Sequence, residues 1–214
     1  MLTRTRLASA CAALAIALAP SAAPAQTDSP AWAAFVQTWA NADAYSARIT
    51  MFERREDRVQ NAVLYYTFSK PASASVHFLA GKNAGAFVDW GGGTTVVARK
   101  GNGLLALMKK TMPLHDPQAT TIRGASIDEL SFTSFIAHAL DTPGVVSQEA
   151  GPTILDIDTV AVTLIPASAA NDTGLTREVI VLSVPTNLPV RILGYQQETL
   201  VRQIDFADIK LRLK

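Results

Sequence analysis

A mainly β fold with a few helices (α+β), built around one long curved antiparallel sheet, is what this sequence predicts. Three observations point there. Residues 45–52 alternate apolar and polar side chains, the pattern of a strand with one wet face. Between Val63 and Ala98, β-rich runs are separated by turn residues alone, which reads as an antiparallel meander. Two other stretches carry large apolar residues at helical spacing.

The elements follow in order. Asp28 or Ser29 can cap a helix with Pro30 in its first turn, and Trp32, Phe35, Val36 and Trp39 recur along one face before an end near Asn41. The strand Tyr45 to Phe52 places Tyr45, Ala47, Ile49 and Met51 on one face and Ser46, Arg48 and Thr50 on the other. Glu53-Arg54-Arg55-Glu56-Asp57-Arg58 reads as a solvated hairpin tip. Strands are expected at Val63 to Ser69, Ala74 to Leu79, Ala86 to Trp90 and Thr94 to Ala98. The turns between them are Lys70-Pro71-Ala72, Gly81-Lys82-Asn83 and Gly91-Gly92-Gly93. Gly103 to Met112 fits either a strand or a lid helix.

Ser126-Ile127-Asp128-Glu129 is a capping box, in which Ser and Glu satisfy free backbone N–H groups. The helix it opens aligns Phe132, Phe135, Ile136, Ala139 and Leu140, and Asp141 to Gly144 stops it. The rest reads as strand again: Thr153 to Ile165, Arg177 to Val184, Val190 to Gln196 and Leu200 to Leu213.

The first 25 residues form a separate unit. Arg4 and Arg6 precede a short apolar run, Leu7 to Leu18, which Pro20 breaks; Ala23-Pro24-Ala25 is the small-x-small pattern of a cleavage site. The run is far below the ~20 residues that span a bilayer. The expectation is a cleaved secretory signal (residues 1–25) and one domain over residues 26–214, starting near Gln26, exported, soluble and unlipidated. Cys11, the only cysteine, leaves with the signal, which excludes cysteine catalysis and cysteine–metal sites in what remains. Two arginines and no acid leave as well, taking 19 basic and 18 acidic residues to a net charge of about −1. That is no footprint for nucleic acid, which wants a clustered basic surface.

Catalytic patterns are sparse. His77, His115 and His138 lie far apart in sequence, without metal-ligand spacing, and read as surface histidines. Gly91-Gly92-Gly93 is not followed by Gly-Lys-Ser/Thr, so it is a turn and not a phosphate loop. No serine sits in a nucleophile elbow. Asp156 and Asp158 would share the solvated face of a strand. Asn171-Asp172-Thr173 matches a glycosylation sequon and reads as a turn. An exported hydrolase would rest on these scattered His and Asp residues alone. No enzyme and no cofactor is expected. What the chain has instead is large apolar side chains on elements that could enclose a cavity: Trp39, Tyr66, Phe68, Val76, Phe78, Trp90, Phe132, Phe135 and Ile136. Their individual places in a packed core are equally compatible with the composition.

The succession helix, charged hairpin, strand, Lys-Pro, strand, Gly turn, strand resembles the periplasmic outer-membrane lipoprotein carrier (LolA/LolB-like) superfamily. The resemblance lies in Leu64-Tyr65-Tyr66-Thr67-Phe68-Ser69-Lys70-Pro71, Val76-His77-Phe78, Phe87-Val88-Asp89-Trp90 and Thr95-Val96-Val97. It continues in Leu188-Pro189-Val190-Arg191-Ile192 and Ile204-Asp205-Phe206-Ala207-Asp208-Ile209-Lys210, and covers most of residues 31 to 213. Glu53 to Asn61, with Asn83-Ala84-Gly85, is similar to a divergent branch of that superfamily. The resemblance implies an incomplete antiparallel β-barrel under a helical lid, with a cavity for lipid or lipoprotein acyl chains. It also implies a periplasmic location and membrane-associated donor and acceptor proteins. Carriers of that kind have Arg before the Pro that ends the second strand; here it is Lys70, which makes Lys70 the candidate for gating the lid. Arg forks two hydrogen bonds, whereas Lys is a point charge. The alternative role implied by related folds is an envelope sensor module that binds a protein partner.

Overall fold

A computed structural model describes residues 29–101, 108–141, 144–168 and 174–214. The expected export signal, Gly103 to Leu107 and the Asn171–Thr173 sequon lie outside the described residues. Eleven strands form one antiparallel sheet in the order β6-β5-β4-β3-β2-β1-β11-β10-β9-β8-β7. They are β1 (Ala42–Arg55), β2 (Arg58–Ser69), β3 (Ser73–Gly81), β4 (Ala86–Trp90), β5 (Thr95–Lys100), β6 (Lys109–Pro113), β7 (Gly144–Ala150), β8 (Thr159–Pro166), β9 (Arg177–Ser183), β10 (Pro189–Gln196) and β11 (Thr199–Leu213). The sheet curves without closing, so the barrel is incomplete.

The topology dictates the cover. Two meanders, β1–β6 and β7–β11, are joined side by side through β1 and β11. Strands β6 and β7 are therefore consecutive in the chain but stand at opposite edges of the sheet. The segment 114–141 must cross between those edges, and it crosses over the apolar inner face. There it buries Leu114, Ile127, Leu130 and Phe132. Helix α1 (Pro30–Ala40) lies on the same core with Trp32, Phe35 and Trp39 buried. Among the described residues, no helix is long and apolar enough to cross a membrane.

Period-two alternation sets which side chains reach that core. On β1 the buried set runs Tyr45, Ala47, Ile49, Met51 and on to Glu53; on β2 it is Ala62, Leu64, Tyr66 and Phe68. Local chemistry fixes α1: the Ser29 hydroxyl accepts from Trp32 N–H at 3.1 Å and donates to Gln148 on β7 at 2.7 Å. One side chain thus starts the helix and ties it to the sheet edge.

Several sequence expectations change here. The capping box does not open a long helix. Ser126 N–H reaches Glu129 Oε1 at 3.3 Å, but around a 3-10 turn, Ile127–Leu130, that stops at Ser131. Helix α2 (Phe132–Asp141) then starts afresh, with Ser134 N–H donating to Ser131 Oγ at 3.0 Å. Leu140, expected on its apolar stripe, is exposed. Gly103 to Met112 ends as a strand, β6, and β7 begins at Gly144, the last residue of the stop signal. Asp156 and Asp158 do not share a strand face: Leu155 and Asp156 take φ of 48° and 62°, in a tight turn closed by the Ile154–Ile157 bridge, and β8 begins only at Thr159. The hairpin tip is shorter than expected. Arg55 pairs with Arg58, so only Glu56 and Asp57 form the turn, and Glu53 is a strand residue 1% exposed to solvent.

Candidate functional site

The space between the sheet and its cover holds two kinds of chemistry. The first is aromatic. Phe132, the first residue of α2, stacks on Tyr45 with centroids 3.9 Å apart and planes 3° apart. Trp39 and Phe35 meet Phe132 edge-on at 5.6 and 5.5 Å, and Phe206 closes the group at 5.8 Å. Trp39, Tyr66, Phe68, Val76 and Phe132 are buried together in this packing. Phe78, Trp90, Phe135 and Ile136 are half-buried at its margin. The structure thus gathers the nine apolar candidates around one core.

Where the cover lies on this aromatic core, ring tips supply the polar ties. Tyr45 Oη donates to the Leu130 carbonyl at 2.7 Å and Tyr66 Oη to the Ile127 carbonyl at 3.0 Å. Trp39 Nε1 donates to Thr133 Oγ1 at 3.0 Å. Burial, with Tyr66 beside it, holds the Tyr45 phenol well above its ordinary pKa, and burial with Asp128 nearby does the same for Tyr66. Both stay hydroxyl donors.

Lys70 ties α1. Its ammonium donates to the Trp39 and Ala42 carbonyls, each at 2.6 Å, and sits 4.2 Å from the centre of the Trp39 ring. It thereby caps the carbonyl end of α1, where a positive charge is favoured. Partial burial and the Lys214 charge lower its pKa, against the pull of Asp43. Lys70→Met is expected to cost about 1–2 kcal/mol, two charge-assisted bonds discounted for the water that still reaches the group. Lys70→Arg should retain most of it. Thermal melts, with amide exchange in α1 as a local readout, check both; full protection of α1 in Lys70→Met would contradict this role.

The second chemistry is ionic and was not legible as a motif. Strand register places Glu53 opposite Arg202, Arg202 opposite Gly194, and Gly194 opposite Glu178. A single row thus crosses β1, β11, β10 and β9. Gly194 offers no side chain, and Arg202 leans across it to Glu178 Oε1 at 2.6 Å. A Cβ at Gly194 would stand 3.2 Å from Arg202 Cβ and 3.1 Å from Leu175, so glycine keeps this path open. His138 of α2 closes the row from above, with Nε2 3.8 Å from Glu178 Oε2. The histidine expected at the surface therefore faces a buried carboxylate. The row and α2 bound a cavity of about 230 Å³, lined also by Phe135, Ile180 and Ile204.

Burial raises the pKa of Glu53, opposed by a hydrogen bond from Thr121, by the Arg202 charge, and by the Arg123 amide and charge. The Arg123 amide reaches Glu53 Oε2 at 3.3 Å, which pins the cover loop to the row. The signal for Glu53 was present in the sequence: the alternation through Ile49 and Met51 continues inward to residue 53. Arg202 and Glu178 carry no such local signal. Among the described residues, no group of three or more His, Cys, Asp or Glu side chains is placed to hold a metal ion.

No family model matches the sequence, and no curated protein matches it significantly. Solved structures do. An uncharacterized conserved protein from Thermus thermophilus is 11% identical, with a TM-score of 0.50 over 87% of this chain and 90% of that one. A LolA superfamily protein from Nitrosomonas europaea is 11% identical, with a TM-score of 0.40 over 85% and 93% of the two chains. A complex of MucA and MucB from Pseudomonas aeruginosa matches at 8% identity and a TM-score of 0.41, over 85% of this chain and 56% of that one. At these identities the likeness is one of fold, and the Thermus thermophilus protein shares it over nearly the whole of both chains.

Proposed function

We propose that this chain is an exported, non-enzymatic carrier whose inner sheet face takes the acyl chain of a lipid or lipoprotein when the 114–141 cover lifts. The observation that carries the reading is the cover itself. Over residues 127–133 it is an apolar surface resting on an apolar surface, tied by three ring-tip hydrogen bonds from Tyr45, Tyr66 and Trp39, while the loop at 122–123 stays pinned to Arg55, Gln60 and Glu53 as a hinge at the rim. An acyl chain can replace it at little cost, because each buried methylene contributes about 0.8 kcal/mol. The Tyr45 and Tyr66 hydroxyls, released from the Leu130 and Ile127 carbonyls, would then donate to ester or amide oxygens of the ligand. The Lys70 contact to α1 and the sequence resemblance to lipoprotein carriers support the same reading. In it, residues 1–25 direct the chain to the periplasm, and donor and acceptor proteins at the two membranes differ in their affinity for the cargo.

Two measurements test it. Lipids should be recovered by solvent extraction and mass spectrometry from protein purified after export. A fluorescent long-chain fatty acid should bind the delipidated protein saturably. Protein that yields no lipid and leaves the probe free, or that purifies with a stoichiometric protein partner in place of lipid, would overturn the carrier in favour of a partner-binding module.

A further inference from the structure

The end of the half-barrel near the β1–β2 hairpin opens as a cleft of about 1120 Å³, between β2, the end of β3 and the cover loop 115–124. This is larger than the roughly 300–1,000 Å³ of most small-molecule sites. Arg55, Arg58, Lys82 and His115 line it, with no carboxylate among the lining residues. Asn61 and Asn83 add amide donors. Glu56 and Asp57 occupy the adjacent turn, and Asp116 turns its Oδ1 to the Gln118 amide at 2.8 Å. Among the described residues, no carboxylate forms an ion pair with Arg55, Arg58 or Lys82. In a chain whose charges nearly balance, three cations line one concavity whose lining holds no carboxylate.

The loop that forms the far wall is held in place. Arg55 Nη1 donates to the Ile122 carbonyl at 3.3 Å, and the Ile122 amide donates to Gln60 Oε1 at 2.9 Å. The apolar part of its wall includes Ala62, which belongs to the core cluster, and Phe78, which packs against it. The cleft thus carries cations and borders the apolar core at Ala62 and Phe78.

We infer that this cleft recognises a phosphate-bearing headgroup, held by Arg58 and Lys82 while the acyl chain runs inward past Phe78 and Ala62. The inference rests on the acyl-carrier reading and narrows its ligand to anionic, phosphate-bearing amphiphiles. Arginine and lysine with flanking amides suit phosphate oxygens, which take several charge-assisted hydrogen bonds at once.

The test uses lysophosphatidylglycerol and lysophosphatidylcholine of equal chain length, with inorganic phosphate as a third arm, titrated by calorimetry into delipidated protein. Their headgroups differ in net charge and their tails do not. The wild type should bind the anionic lysolipid about tenfold more tightly, and added salt should erode that preference. The double variant Arg58→Glu/Lys82→Glu changes two exposed side chains and should keep the wild-type melting temperature. It should bind both lysolipids more weakly than the wild type does, since both carry the phosphodiester, and should show no preference for the anionic one. Equal affinities in the wild type, or a preference that survives in the variant, would overturn the headgroup site while leaving the acyl carrier intact. If neither lysolipid binds, the acyl carrier falls. Inorganic phosphate then decides: binding that the double variant abolishes supports the cleft as a phosphate site, and no binding overturns it.

Discussion

Arg202→Met is expected to lower stability by about 3–5 kcal/mol at neutral pH, among the largest losses of any single substitution in this sheet. The reason is what remains. Glu53 and Glu178 are 1% and 3% exposed, and Arg202 is the cation standing between them in the cross-strand row. Methionine fills much of the same volume, so the loss is electrostatic and not one of packing. A pH dependence separates the two. Glu53 already holds its proton to a higher pH than an ordinary glutamate, chiefly through burial, and Arg202 is one of the groups opposing that. A raised carboxyl binds more protons folded than unfolded, so its contribution falls as pH rises from the ordinary glutamate value through the raised one. Without Arg202 the raised value climbs and that window widens. Urea denaturation at neutral and mildly acidic pH should therefore show the deficit of Arg202→Met shrinking in acid. The triple change Glu53→Gln/Glu178→Leu/Arg202→Met removes every charge of the row and should recover most of the loss. A deficit below about 1 kcal/mol, or one that pH does not move, would mean the row is not electrostatically coupled.

Phe132→Ala should cost a similar amount, about 3–5 kcal/mol, for a different reason. The ring is fully buried and stacks on Tyr45 while Phe35, Trp39 and Phe206 surround it. Its removal opens a void between sheet and cover, and the stacked pair alone is worth about 0.5–1.5 kcal/mol beyond the area buried. Because Phe132 begins α2, the cover should loosen before the sheet does. Chemical denaturation measures the total. Amide exchange over residues 127–141 should then show the cover opening at lower free energy than β1 and β11. If the cover is the gate of the carrier, Phe132→Ala should also take up the fatty-acid probe faster than the wild type, since closure competes with binding. Uniform loss of protection across sheet and cover would place Phe132 in the global fold without a gating part.

The two chemistries of the site differ in how far they could be read in advance. The aromatic candidates were legible because each lies on a run with a clear period: Trp39 on a helical stripe, Tyr66 and Phe68 on an alternating strand, Phe132 after a helix start. The ionic row was not. Its members stand at positions 53, 178, 194 and 202, on four strands, and meet only through register. Glu53 was further hidden by its neighbours, since six charged residues in succession resemble a turn. The strand Gly144–Ala150 escaped for a related reason: it begins at the last residue of a stop signal and is half polar. The capping box at Ser126 was real, but its helix ends after one turn because Ser131 is extended, with φ −80° and ψ 146°.

Sequence by itself determined the local terms. Periodicity decided which side chains point inward, Gly, Pro and Asn marked the turns, and the chain predicted a curved antiparallel sheet with helices, which is the architecture observed. Tertiary structure alone decided the register between distant strands, and with it the pairing of Arg202 with Glu178 across Gly194. It also decided that the 114–141 segment lies over the inner face. The physical reason is the same in both cases. A period of two specifies a face, but not which residue of another strand will stand beside it. That follows only when β1 meets β11, leaving β6 and β7 at opposite edges and sending the chain across the apolar face between them.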